Sequence, residues 1–73
     1  IKELWLYENK LKNISVIQYL NNLETLDIRY MQLESDQIQY INSIKNLKYL
    51  YCKNGFKYMS VLNQLNKNID ITK

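Results

Sequence analysis

The apolar residues of this chain recur in one spacing, which is present three times. The first stretch has apolar residues at positions 1, 4, 6, 11, 14, 17 and 20, and the next two stretches begin at 23 and 47. In each stretch the second apolar residue lies three positions after the first, and the third lies two positions after the second. The last apolar residues of each stretch are three positions apart. A period of about 20–29 residues is typical of solenoid proteins, in which every repeat is one structural unit.

The start of each stretch alternates between apolar and other residues, which predicts a β-strand with one buried face. The alternation covers residues 3–7, 25–29 and 49–53, and a fourth, weaker case covers 68–72. If the strands pair in parallel, equivalent residues form buried columns. The predicted columns are Leu4, Leu26 and Leu50, and beside them Leu6, Ile28 and Cys52.

After each strand the apolar spacing changes to three residues, as in a 3-10 helix or a short α-helix. Ser35 is a favourable helix start, because its hydroxyl can accept hydrogen bonds from N–H groups of the first turn. Two additional residues between Leu33 and Ile38 predict a longer turn between the strands in the second stretch. Asn54-Gly55 could form a hairpin turn, but Gly55 falls where the other stretches leave the strand.

The composition limits the chemistry available to this chain. Seventy-three residues form at most one small domain. The net charge is +3, and the basic residues are scattered along the chain with acidic residues between them. The single Cys52 allows no intrachain disulfide and lies at a core position. The chain has no histidine, and we expect no metal, no cofactor and no catalytic site. No apolar run approaches the roughly 18 residues that a membrane-spanning helix needs.

The segment Ile1-x-x-Leu4-x-Leu6-x-x-Asn9-x-Leu11 resembles the leucine-rich repeat pattern L-x-x-L-x-L-x-x-N-x-L. The chain is similar to the 22-residue subclass found in bacterial internalins and in a nuclear phosphatase regulatory subunit. The resemblance implies an α/β solenoid with a parallel β-sheet on its concave face and short α or 3-10 helices on its convex face. The repeats would cover 1–22, 23–46, 47–67 and, in part, 68–73 of a single domain, and we expect a longer array around them.

Two positions depart from the family pattern. The family's asparagine uses its side-chain amide to satisfy backbone groups inside the turn, and Asn9 matches it. Met31 and Gly55 occupy the equivalent places and cannot do so. Because an unpaired buried backbone group costs roughly 1–3 kcal/mol, we expect water or an altered turn to compensate.

The outward-pointing strand residues include several Trp, Tyr and Arg side chains, the types that dominate binding energetics. We expect a protein partner to bind them on the concave face, although cross-strand packing that stabilises the sheet is the competing interpretation. Asp27 and Asp70 are predicted to share one row on either side of Tyr51, as solvated carboxylates and not as a catalytic pair. The candidate partner-binding residues are Trp5, Tyr7, Asp27, Arg29, Tyr30, Tyr49, Tyr51 and Lys53.

The sequence therefore favours a non-catalytic protein-interaction module over an enzyme. One alternative is an RNA-associated leucine-rich repeat protein, because tyrosines beside Arg29 and Lys53 could stack on bases. Acidic residues such as Glu3 and Glu8 on the same predicted face disfavour it. Another alternative is a recognition domain joined to a separate catalytic domain. The resemblance leaves the localisation open between a bacterial cell surface or secreted protein and a cytoplasmic one.

Overall fold

A computed structural model describes all residues, 1–73, and has a mixed α/β architecture. Four parallel strands form one sheet in chain order, and each connection between them passes through a helical segment. This alternation confirms the predicted order of elements.

The strands are β1 (Glu3–Trp5), β2 (Thr25–Asp27), β3 (Tyr49–Tyr51) and β4 (Asp70–Thr72). The first and third helical segments are the 3-10 helices Ser15–Tyr19 and Met59–Gln64. The second consists of the 3-10 helix Ser35–Gln37, which leads into α1 (Ile38–Asn42).

The register of the first three strands is the predicted one. Leu4 pairs with Leu26, and Leu26 pairs with Leu50. The backbone ladder continues past the three-residue strands, since the Leu6 N–H donates to the Asp27 carbonyl at 2.8 Å. Equivalent hydrogen bonds join Ile28 to Tyr51 at 2.9 Å and Cys52 to Thr72 at 2.9 Å. Inter-strand pairing therefore extends one residue beyond each strand, to the second predicted apolar column.

The predicted register of the fourth strand is wrong. The sequence pattern placed Asn68 opposite Tyr49, whereas Asp70 occupies that place and Thr72 lies opposite Tyr51. Ile71 is therefore the residue that pairs with Leu50. The error is two residues, which leaves the inward and outward sides of the strand unchanged. As a consequence, Asp70 does not share a row with Asp27.

One apolar core lies between the sheet and the helical segments. It contains 18 buried residues in a single cluster, which extends through all three strand-to-strand connections. Cys52 is fully buried in this cluster, as predicted. Burial of apolar surface at about 25 cal/mol per Å² is the main term that holds the layers together.

The chain leaves the first three strands in a left-handed backbone conformation. Glu8, Tyr30 and Asn54 occupy equivalent positions and have φ values of 54°, 63° and 52°. This region favours glycine or asparagine, so the bulky Tyr30 is the most unusual of the three. The parallel strands on either side of Asn54 and Gly55 confirm that this pair does not form a hairpin.

The two turns that lack the asparagine of the leucine-rich repeat pattern are completed by backbone groups. In the first turn, Asn9 Oδ1 accepts a hydrogen bond from the Leu11 N–H at 2.9 Å. At the equivalent place in the second turn, the Leu33 N–H donates to the Gly55 carbonyl at 2.8 Å. In the third turn, the Lys57 N–H donates to the Leu33 carbonyl at 2.9 Å. Backbone carbonyls of the neighbouring stretches therefore supply the compensation that was expected from water or an altered turn.

The second helical segment begins at Ser35, as predicted, and at residues 35–42 it is the longest of the three. The role given to the Ser35 hydroxyl is wrong, because Glu34 is the N-cap and no side chain caps this helix. No helix here has the length and apolar character needed to cross a membrane.

Candidate functional site

The sheet surface that faces away from the core carries a group of aromatic side chains. Trp5, Tyr7 and Tyr49 are 53%, 47% and 48% exposed, although large aromatic residues are normally buried to a greater extent. They occupy this surface because strand residues two positions apart point to the same side of a sheet. We call this surface the sheet face.

The rings of Trp5 and Tyr51 cover Asp27. These three residues lie side by side on β1, β2 and β3. Strands two places apart are separated by about 9.6 Å, yet the two ring centroids are 5.7 Å apart with an interplanar angle of 27°. The rings therefore lean towards each other over the short Asp27 side chain, which is fully buried. The expectation that Asp27 is solvated is wrong for this reason.

Arg29 neutralises the buried carboxylate of Asp27. The Arg29 Nε lies 3.0 Å from Oδ2 and 3.1 Å from Oδ1, and its Nη2 lies 2.7 Å from Oδ2. The Arg29 backbone N–H also donates to Oδ1 at 2.9 Å. Both carboxylate oxygens therefore have partners, as a buried charge requires. The same hydrogen bonds raise the pKa of Arg29, which keeps the guanidinium charged.

The Arg29 guanidinium also lies against two aromatic rings. Its central carbon is 4.8 Å from the centroid of Tyr7 and 5.9 Å from that of Tyr51, within the range of cation–π attraction. Tyr7 makes an edge-to-face contact with Tyr30 at 5.4 Å. The Lys53 ammonium lies 6.0 Å from the centroid of Tyr30. A continuous chain of contacts thus joins the side chains from Trp5 to Lys53.

Seven of the eight candidate residues are brought together in this way, and we call them the Arg29 cluster: Trp5, Tyr7, Asp27, Arg29, Tyr30, Tyr51 and Lys53. The eighth, Tyr49, lies in the adjacent row of the sheet face, between Thr25 and Asp70. The sequence interpretation missed that Asp27 and Arg29 form an ion pair. Opposite charges two residues apart on one predicted strand are the signal that could have indicated it.

The charge of Glu8 affects the tyrosine beside it. The carboxylate raises the pKa of Tyr7 through its negative charge, and partial desolvation of the phenol raises this pKa further. A phenol is already protonated at physiological pH at its ordinary pKa of 10.0, so the raised pKa only keeps Tyr7 neutral further into alkaline solution.

Other potentially reactive groups lie away from the sheet face. Burial raises the pKa of the Cys52 thiol, with a smaller opposing effect from Lys73. A thiol in this state is a poor nucleophile. No group of three or more His, Cys, Asp or Glu side chains is placed to hold a metal ion. A cleft of about 250 Å³ is lined by Ile1, Tyr19, Leu20, Asn21 and Asn22, none of which belongs to the candidate residues.

Comparisons with protein-family models, curated proteins and solved structures give no significant match. The residues of the sheet face are therefore the basis for any functional conclusion.

Proposed function

We propose that this chain is part of a leucine-rich repeat array, and that its sheet face binds a protein partner without catalysing a reaction. The array assignment is supported by the sequence pattern and by the parallel register of Leu4, Leu26 and Leu50. The order of the strands agrees with successive repeats stacked side by side. In such an array, the sheet face corresponds to the concave surface.

One observation supports the binding function above the others. The Arg29 cluster combines half-exposed Trp5 and Tyr7 with a partly exposed arginine on one continuous surface. Trp, Tyr and Arg are the residue types most often found at the energetic centre of protein interfaces. The stacked rings are held by neighbouring strands, so these side chains would lose little conformational entropy when a partner packs against them.

The balance of charges disfavours a nucleic acid as the main ligand. Asp27 already compensates Arg29, and Glu3, Glu8 and Asp70 are exposed on or beside the sheet face. A phosphate backbone requires several uncompensated cations along its path. A protein surface with mixed polar and apolar groups is the better complement.

The proposal can be tested by selecting peptides that bind the 73-residue chain from a displayed random library. Backbone amide shifts then map the binding site of each selected peptide. We expect shifts in β1, β2 and β3. Trp5→Ala and Tyr51→Ala should each weaken binding by roughly 1–2 kcal/mol.

Tyr58→Ala is the matched control, because Tyr58 is 68% exposed and lies just before the 3-10 helix Met59–Gln64. This variant should bind as the parent chain does. The proposal is wrong if both sheet-face variants retain full affinity while their amide spectra remain those of a folded chain.

A further inference from the structure

Arg29 is held in a fixed orientation before any ligand arrives. Asp27 binds one edge of its guanidinium, and the rings of Tyr7 and Tyr51 lie against its faces at 4.8 and 5.9 Å. An arginine side chain normally loses considerable rotamer freedom on binding. Because the fold has already imposed this order, a ligand of Arg29 would bind without that entropic penalty.

Part of the guanidinium remains available for hydrogen bonding. Arginine carries five N–H donors in a planar fork. The Nε–H and one Nη2–H are directed to Asp27, which leaves the second Nη2–H and both Nη1–H groups without a partner. The Arg29 side chain is 40% exposed. The unused donors therefore suit an oxyanion, since charged carboxylate and phosphate groups form the strongest hydrogen bonds with arginine.

Lys53 supplies a second cation beside Arg29. It follows β3 at the position equivalent to Arg29 after β2, and the Tyr30 N–H donates to its backbone carbonyl at 2.8 Å. Its side chain is exposed and lies against the ring of Tyr30. Because Asp27 offsets the charge of Arg29, the pair has one uncompensated positive charge. Glu8, which lies next to Tyr7, is the nearest acidic residue of the adjoining turn.

We infer that Arg29 and Lys53 together anchor one oxyanion on a peptide segment of the protein partner, either a carboxylate or a phosphate. The neighbouring rings of Trp5 and Tyr51 would receive an apolar side chain of the same segment. This inference rests on the proposed function, because it assigns a chemical class to the partner of the sheet face. A single net charge matches a single anionic side chain better than a polyanion.

Short synthetic peptides can test the inference directly. We would prepare pools that lack Trp and Tyr, share the same neutral random positions and differ in one central residue: Glu, phosphoserine, Gln or Lys. Binding would be followed through the fluorescence of Trp5, which is the only tryptophan in the chain. Arg29→Gln and Lys53→Gln remove the two proposed anchors. Lys45→Gln makes the same charge change at an exposed position that follows α1.

The Glu or the phosphoserine pool should bind about tenfold more tightly than the Gln pool, and the Lys pool should bind least tightly. The better of the two anionic pools identifies the source of the oxyanion. This preference should disappear in Arg29→Gln and in Lys53→Gln, and it should persist in Lys45→Gln. Lys53→Gln keeps the test valid if Arg29→Gln does not fold, because Lys53 is in contact with solvent.

Several results would overturn the inference. If all pools bind equally and Tyr51→Ala, which retains the Trp5 probe, still weakens their binding, the binding face stands and the oxyanion anchor is rejected. A preference that survives in Lys53→Gln rejects the anchor as well. Absence of binding by every pool contradicts both the anchor and the proposed function. Tighter binding of single-stranded oligouridylate than of any peptide pool would reject a protein partner.

Discussion

The side-chain carbonyl of Gln37 accepts a hydrogen bond from the backbone N–H of Ile14 at 2.8 Å. Both residues are buried, and the hydrogen bond joins the start of the first helical segment to the second. Ile14 lies at the N-terminal boundary of the 3-10 helix Ser15–Tyr19, where N–H groups have no partner within the helix. Gln37 thus supplies the acceptor that the first segment lacks.

We predict that Gln37→Leu lowers the free energy of unfolding by about 1–3 kcal/mol, although leucine is the more apolar residue. The substitution leaves the buried Ile14 N–H without an acceptor. Urea unfolding followed by circular dichroism would measure the loss. Gln39→Leu is the control, since Gln39 is exposed two residues further along, and it should change stability little. Equal midpoints for the two variants would contradict the prediction.

The close packing around Gly55 leads to a second prediction. A β-carbon built at this position would lie 2.9 Å from the Ile28 carbonyl oxygen and 3.0 Å from that of Cys52. Because backbone atoms cannot move aside as a flexible side chain can, Gly55→Ala should lower the free energy of unfolding by roughly 1–3 kcal/mol. Thermal unfolding of the variant and the parent chain would measure the difference.

Asn54→Gly is the informative control for that experiment. Asn54 has a φ of 52°, in the left-handed region where glycine is well tolerated. This variant changes the number of glycines in the turn without adding an atom that neighbouring groups would have to accommodate. We expect this variant to be about as stable as the parent chain, and a loss comparable to that of Gly55→Ala would show that close packing is not the cause.

The sequence predicted the strands and their apolar columns because the alternation of side chains specifies which face is buried. It could not specify the register of β4, since shifting Ile69 and Ile71 by two residues keeps both on the inner side. The sequence pattern placed Ile69 opposite Leu50, whereas the structure pairs Ile71 with Leu50. The alternation of apolar residues shows which side of the sheet each residue faces, whereas the length of the preceding connection determines which residues pair.

The same limitation applies to the candidate site. The pattern placed Asp27 on the outward side, and that is correct for its backbone position. Its burial depends on the inclination of the Trp5 and Tyr51 rings and on the ion pair with Arg29. These are properties of side-chain conformation across three strands, and no periodicity in one strand encodes them.

The ion pair between Asp27 and Arg29 supports a third prediction. Arg29→Gln leaves a buried carboxylate without its countercharge, and a charge in that state is strongly destabilising. We expect this single variant to be less stable than the double variant Asp27→Asn/Arg29→Gln, in which no charge is buried. Urea unfolding gives the free energy of unfolding of the parent chain, of Asp27→Asn, of Arg29→Gln and of the double variant, and these four values form a thermodynamic cycle. Strictly additive effects would show that the two side chains are not coupled in the folded chain.

The buried thiol of Cys52 supports a prediction about pH. Burial raises its pKa above the ordinary value of 9.0, so the folded chain keeps the thiol proton at a pH where the unfolded chain loses it. The free energy of unfolding should therefore be independent of this group below about pH 9. It should fall as the pH rises further, because the native state then binds more protons than the unfolded state.

Cys52→Val isolates that effect, because valine is apolar, similar in size and cannot ionise. Tyrosines also titrate in alkaline solution, but they are common to both chains, so the difference between the two pH profiles reports the thiol alone. Urea unfolding from about pH 7 to pH 11 should give a steeper decline for the parent chain than for the variant. Parallel profiles would mean that Cys52 ionises equally easily in the folded and unfolded chains, which its place beside Ile28 in the core does not allow.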